Sequence, residues 1–187
     1  VAVICYPLTY VFADIFTEVY GYKRTRRIIW TGMGCLLVAS FVPSFYAFVP
    51  ASESFTDNEA FRTVFAASPA LAVAAILGFF CGETMNAYIM AKMKVFSEGR
   101  FIAVRLIGST LAGQSADNIV FYSVALVLGG FFSIEDLPLY IASTVLFCTV
   151  WEIIALPITK RVIAFLKKEE GIDIYDRETN FNPFAFG

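Results

Sequence analysis

The chain has 187 residues, 58% of them hydrophobic and 16% charged, with a mean hydropathy of +0.70. Its apolar residues come in long blocks, so it reads as an integral membrane protein and not as a soluble domain. It contains no histidine, which excludes Ser-His-Asp triads, imidazole metal sites and histidine proton relays. The absence of a GxxxxGK[ST] loop and of GxGxxG excludes a conventional ATPase. The formal charge of -2 says little about partners, because in a membrane protein the placement of the charges matters more than their sum.

Five apolar segments follow one another, each near the roughly 20 residues that cross a bilayer as a helix. The first runs from Val1 to about Tyr20, with Pro7 placed to kink or break it. The second runs from Ile28 to about Val49. The third starts at Ser68-Pro69, a cap residue followed by proline at the first helical position, and ends near Ala91. The fourth extends from about Ala103 to Leu128 and stops at Gly129-Gly130. The fifth runs from Pro138 to about Thr159, with Pro157 near its end. The fold class is therefore an all-α membrane bundle with five spans. Because the sequence starts at Val1 inside an apolar run, we expect a further helix before it and six in the intact protein.

Lys23, Arg24, Arg26 and Arg27 follow the first segment; Lys92, Lys94, Arg100 and Arg105 flank the third-to-fourth connection; Lys160, Arg161, Lys167 and Lys168 follow the fifth. The other two connections carry Arg62 alone beside Glu53, Asp57, Glu59, Glu135 and Asp136. The positive-inside rule then puts the basic connections and the C-terminus in the cytoplasm and Val1 on the outer side, in a multi-pass protein of the cell's inner membrane. Residues 1–168 form the transmembrane domain, and 169–187 form a polar cytoplasmic tail of no evident order. The connection from Ala51 to Ala67, with Phe55, Phe61, Val64 and Phe65, reads as an interfacial amphipathic turn, an outer lid or a plain loop on the headgroups. Cys5, Cys35, Cys81 and Cys148 lie inside apolar blocks without CxxC spacing and read as packing residues; neither a metal nor any other cofactor is expected.

Polar groups recur inside the spans. Asp14, Thr17 and Glu18 lie on the first; Glu83 and Asn86 on the third; Gln114, Asp117 and Asn118 on the fourth; Glu152 on the fifth. Asp14, Glu83, Gln114, Asp117 and Glu152 fall near the middle of the bilayer or slightly cytoplasmic of it. A buried carboxylate costs about 2.5–3.5 kcal/mol on insertion scales, whereas a polar contact between spans returns only about 0.6 kcal/mol. Arg105, the one basic residue near the core, sits where it can snorkel to the edge, and its helical face points away from Gln114 and Asp117. The carboxylates therefore outnumber the buried cations. A midplane cluster of this kind is where transporters hold solute, and one rich in acceptors suits a solute rich in N–H donors, or a cation. Tyr6, Tyr10, Phe12, Phe79, Tyr88, Phe121 and Trp151 are available to wall a flat ring. The face Ser109, Ala112, Gly113 and Ala116 reads as close helix packing. No enzyme is expected: rhomboid chemistry needs histidine, and the GxGD of aspartyl intramembrane proteases is missing.

The run Pro7-Leu8-Thr9-Tyr10 with Asp14, Thr17-Glu18-Val19-Tyr20-Gly21-Tyr22 and the basic cluster after it resembles the signature of the queuosine precursor transporters, also described as vitamin-uptake-type transporters. The resemblance continues through Gly82-Glu83, Asn86, Lys92, Lys94, Gly99-Arg100, Arg105, Ile107-Gly108-Ser109-Thr110, Gly113-Gln114, Asp117, Glu152 and Pro157. It closes with Gly171, Asp173, Tyr175-Asp176 and Asn180-Phe181-Asn182-Pro183-Phe184, and so covers nearly the whole chain. It implies a six-helix fold similar to the substrate-binding subunits of energy-coupling-factor transporters. It also implies import of 7-cyano-7-deazaguanine, its 7-aminomethyl relative, or both, for tRNA modification. A guanine-like ring presents a ring N–H and an amine side by side to a carboxylate, and its carbonyl accepts from an amide.

Two of Asp14, Glu18, Glu83, Asp117 and Glu152 are expected to take those donors, with Asn86 or Gln114 on the carbonyl or a ring nitrogen and Thr17 beside them. The leading expectation is a secondary carrier coupled to a proton or another cation. The alternative is a substrate-binding subunit of a multi-subunit energy-coupling-factor transporter for a vitamin-like or nucleobase-like solute. Expected partners are the small 7-deazaguanine and membrane lipid, with no nucleic acid; energising subunits and self-association are both compatible with the sequence.

Overall fold

Apolar blocks of this length satisfy their own backbone hydrogen bonds in lipid only as helices. The computed structural model describes residues 2–52, 55–66 and 68–185, and among them there are helices and no strand. The elements are α1 (Ala2–Tyr20), α2 (Tyr22–Tyr46), α3 (Asn58–Ala66), α4 (Ser68–Phe96), α5 (Ile102–Gly129) and α6 (Leu137–Glu170). By length and composition, α2, α4 from Pro69, α5 and α6 suffice to cross a membrane. α1 is not among these four. Val1, Glu53 and Ala67 lie outside the described residues, as do the side chains of Cys5 and Ser68, and with Ser68 the expected cap.

The helices run further than their apolar cores. α2 begins at Tyr22, α4 continues to Phe96 and α6 to Glu170, so the basic clusters sit on helical turns. Glycines at positive φ punctuate the ends: Gly21 (φ 78) separates α1 from α2, and Gly171 (φ 66) stops α6. Pro7, Pro43 and Pro157 lie inside helices without ending them. The Ala51–Ala67 connection contains α3, whose Phe61 stacks between Phe55 and Phe65.

α4 and α5 share the most extensive interface, built on a seam of glycines. A Cβ on Gly82 would lie 2.6 Å from the Asp117 Cβ, and one on Gly113 would lie 2.7 Å from the Asn86 Cβ. Only glycine permits this approach, as in other small-residue membrane interfaces. The outward faces carry exposed Phe12, Val38, Val127, Leu146, Ile154 and Ile158, as lipid contact requires. Interior packing near the basic ends joins Ile15, Val19, Met90, Leu106 and Ile163.

The tail after α6 is ordered, although its polar composition gave no sign of it. The Ile174 N–H donates to the Val19 carbonyl at 3.2 Å, and the Asp176 carboxylate accepts from the Tyr22 N–H at 2.9 Å and from the Thr179 hydroxyl at 2.7 Å. Arg26 donates to the carbonyls of Asn180 and Asn182, and the Trp30 indole N–H donates to that of Pro183. Phe181 packs against Tyr22 and Tyr88 beneath the Lys92 ammonium, and Phe184 against Trp30 and Phe80. The segment forms a strap across the start of α2, the end of α1 and one face of α4.

Candidate functional site

α1, α4 and α6 run towards the basic end and α5 runs back from it, so positions spaced one turn apart on each helix stack into levels. At the basic end the level centres on Glu18, which is 1% exposed. Its carboxylate accepts a forked pair from the Arg105 guanidinium, at 2.5 and 3.1 Å, and a third bond from the Lys167 ammonium at 2.6 Å, with Lys94 3.8 Å away. Lys94 also donates to the Glu18 carbonyl, to Asp173 and to the Ile174 carbonyl. Arg105 is thus buried and paired, and its expected snorkelling is corrected. Its face of α5 turns inwards towards α1, and its Nε and Nη2 are further held by the carbonyls of Arg100 and Gly99. With Arg105, Lys94 and Lys167 around Glu18, this carboxylate is compensated inside the protein.

Outside the helices, partial burial tends to raise the Asp173 carboxyl. Hydrogen bonds from Lys94 and Lys167 and their charges outweigh it and hold the group below the usual carboxylate range.

One turn deeper is Asp14, completely buried, accepting from the Asn86 amide at 2.8 Å and from the Ser109 and Thr110 hydroxyls at 3.3 Å each. Glu152 and Glu83 lie within electrostatic range of Asp14, and Asp117 within range of Glu83. Asp117 accepts from the hydroxyls of Tyr6 and Tyr10, the second at 3.0 Å. Thr17 stands apart: its hydroxyl bonds the Ala13 carbonyl and meets Thr25 of α2, serving the α1–α2 contact. Asn118 donates back to the Gln114 carbonyl and to its side-chain oxygen, leaving the Gln114 amide nitrogen free to point elsewhere.

Between Asp14 and Asp117 lies a group of buried polar atoms that, among the described residues, have no hydrogen-bond partner. They are both carboxylate oxygens of Glu83, Oδ1 of Asn86, Nε2 of Gln114 and Oε1 of Glu152. Leaving such atoms unpaired costs about 1–3 kcal/mol each, more when charged. They present four acceptors and one donor. Two cavities lie nearby, and Glu83 borders one of them. One of about 630 Å³ is lined by Tyr6, Asp117, Asn118, Phe121, Tyr122, Phe147 and Cys148 among others; another of about 580 Å³ is lined by Tyr6, Phe12, Phe79 and Glu83 among others. Of the ring residues singled out in the sequence, Tyr6, Phe12, Phe79 and Phe121 therefore line cavities, while Tyr88 packs on the strap.

Sequence reasoning did not find the hydroxyls that hold the carboxylates: Tyr6 and Tyr10 on Asp117, and Ser109 and Thr110 on Asp14. The signal was available for α1, since Tyr6, Tyr10, Asp14 and Glu18 repeat every four residues and form one stripe. Ser109 was read as packing because its neighbours Ala112, Gly113 and Ala116 are small.

The family model described as "Putative vitamin uptake transporter" matches residues 1–162. The chain belongs to this family. The family is described as one of transporters, in agreement with the several membrane-capable helices of this chain. It is 30% identical over 124 residues to the "Probable queuosine precursor transporter" of Bacillus subtilis (strain 168), a match covering 65% of this chain and 54% of that relative. The chain thus spans about half the length of this curated relative. No solved structure matches it.

Proposed function

We propose that this vitamin uptake transporter imports queuosine precursors, 7-cyano-7-deazaguanine or its 7-aminomethyl relative or both, across the inner membrane as a secondary carrier. In this reading α1 also spans, giving five spans, with the basic ends and the C-terminus cytoplasmic. The alternation of basic and acidic connections supports that orientation. The name of the Bacillus subtilis relative supports the solute class.

The observation that carries the reading is the set of unpartnered atoms on Glu83, Asn86, Gln114 and Glu152. A 7-deazaguanine offers a ring N–H, an adjacent exocyclic amine and a pyrrole N–H as donors, and a carbonyl as acceptor. Four acceptors and one amide donor complement that inventory, and a carboxylate takes the N–H and amine as a bidentate pair. Glu83 and Glu152 are assigned to the donors and Gln114 to the carbonyl. Asp14 acts through Asn86, fixing the amide so that Oδ1 faces the solute. Asp117, held by Tyr6 and Tyr10, forms the wall towards the larger cavity, and Phe121 or Phe79 supplies a face for the ring. A proton carried by one of the clustered carboxylates is the proposed coupling ion, because like charges this close do not all ionise together.

The test is uptake of labelled 7-cyano-7-deazaguanine into proteoliposomes under an inward pH gradient. Uptake is expected with the chain alone and is expected to fall about 10–100-fold in Glu83→Gln and Glu152→Gln, the loss of one charge-assisted hydrogen bond. Uptake that appears only on adding energising subunits would defeat the carrier reading, and full uptake by both variants would defeat the site.

A further inference from the structure

The Glu18 level holds four helices and the strap at one point. The carboxylate comes from α1, Arg105 from α5, Lys167 from α6 and Lys94 from α4; Asp173 of the strap is shared by Lys94 at 2.5 Å and Lys167 at 2.9 Å. Around and just inside that level, Ile15, Val19, Met90, Leu106 and Ile163 close the interior with side chains at most 7% exposed. The cavity of about 630 Å³, in contrast, is lined from the opposite half of α1, α5 and α6, through Tyr6, Asp117, Phe121 and Cys148, whereas that of about 580 Å³ lies on the α1–α2–α4 side, from Phe79 and Glu83 to Phe16, Thr25 and Ile28. The space between α1, α5 and α6 is thus open beside Asp117 and closed at the basic end by an apolar plug backed by an ionic knot.

We propose that Glu18, Arg105, Lys94 and Lys167 form the inner gate of the transporter, that the strap through Asp173 is its latch, and that this structure is the outward-facing state. The proposal rests on the carrier reading above. Alternating access requires that the plug open towards the cytoplasm while the outer cavity closes. Opening separates α1 from α5 and α6, which breaks the Glu18–Arg105 fork and the Glu18–Lys167 bond. The strap opposes this separation, because it is tied to α1 by the Ile174–Val19 bond and to α4 and α6 through Asp173. Gly99 lets the α4–α5 turn close under the strap: a Cβ there would collide with the Tyr175 hydroxyl.

The test places a cysteine at Met90, in the plug, with Cys5, Cys35, Cys81 and Cys148 replaced by alanine. Inside-out vesicles are then treated with a membrane-impermeant maleimide. Labelling is expected to be slow, and about tenfold faster in Glu18→Gln and in Asp173→Asn, as a minor inward-open population rises from about 1% to about 10%. Asp173 is partly exposed, so Asp173→Asn keeps the test intact if Glu18→Gln fails to fold. An unchanged rate in Asp173→Asn, or fast labelling with the gate residues unaltered, overturns the proposal.

A second arm replaces Tyr20 and Glu170, which are hydrogen bonded across α1 and α6, by cysteines joined with a short bis-thiol linker. Uptake of 7-cyano-7-deazaguanine is expected to stop and its binding from outside to remain; uptake that persists overturns the gate. Labelling uses no solute. A wrong solute would therefore abolish uptake in every variant while leaving the labelling contrast, whereas a wrong gate would abolish the contrast and leave uptake.

Discussion

The two polar levels of this bundle are built from the same residue types and are opposite in character. At the basic end a fully buried glutamate is met by a guanidinium and two ammonium groups, and the surrounding carbonyls take the remaining donors. Two turns away, Glu83 is equally buried and neither of its oxygens has a partner among the described residues. The first arrangement is a joint, its desolvation offset within the protein. In the proposed function the second is completed by the solute, and on that reading it is burial without a partner, and not burial alone, that marks a binding carboxylate.

The sharpest way to break this contrast is Glu18→Ala. Removing one member of a buried charge cluster leaves Arg105 uncompensated, and we expect a loss of about 3–5 kcal/mol in unfolding free energy, measured by thermal unfolding in detergent or nanodiscs. A variant as stable as the parent would make the cluster dispensable.

Gly82→Ala acts on the other level. Its Cβ would press on the Tyr10 hydroxyl and the Asp117 Cβ, and overpacking of this kind costs about 1–3 kcal/mol. Solute affinity should fall, while hydrogen-exchange protection of the strap amides stays. Loss of strap protection would mean that the two levels are not independent.

The smallest effect is expected from pH at Asp173. Its carboxyl titrates below its unfolded value, so its contribution is complete above about pH 4. That contribution is lost as pH falls through the depressed folded value. Protection of the Ile174 amide should accordingly decline in acid below pH 4, and Asp173→Asn should show weaker protection at neutral pH with no such decline. A parent whose protection is flat with pH would remove Asp173 from the latch.

Much of this was legible in the residues. The apolar blocks, their basic ends and the placement of Asp14, Glu83, Gln114, Asp117 and Glu152 inside helices follow from composition and helical spacing alone. Pairing was not legible, because it depends on how each helix is rotated. Arg105 and Glu18 are far apart in sequence, and nothing local says that their faces meet. The strap was hidden for the same reason: the partners of Asp173, Asp176, Phe181 and Phe184 lie far away in sequence, and its other anchors, the carbonyls of Asn180, Asn182 and Pro183, carry no side-chain signature. α1 illustrates the converse, since its stripe of Tyr6, Tyr10, Asp14 and Glu18 marks one polar helix face, two of whose members donate to Asp117 of α5.

The central claim, that Glu83 and its neighbours await a guanine-like solute, is tested most directly by equilibrium binding. Purified protein in nanodiscs would be titrated with 7-cyano-7-deazaguanine, guanine and adenine, with Glu83→Gln alongside. The account predicts binding of the deazaguanine, and affinity about 10–100-fold weaker for adenine, which lacks the paired N–H and amine donors. It predicts a similar loss for the deazaguanine in Glu83→Gln. Equal affinity for all three bases, binding of none, or a Glu83→Gln variant that binds as the parent does would contradict it.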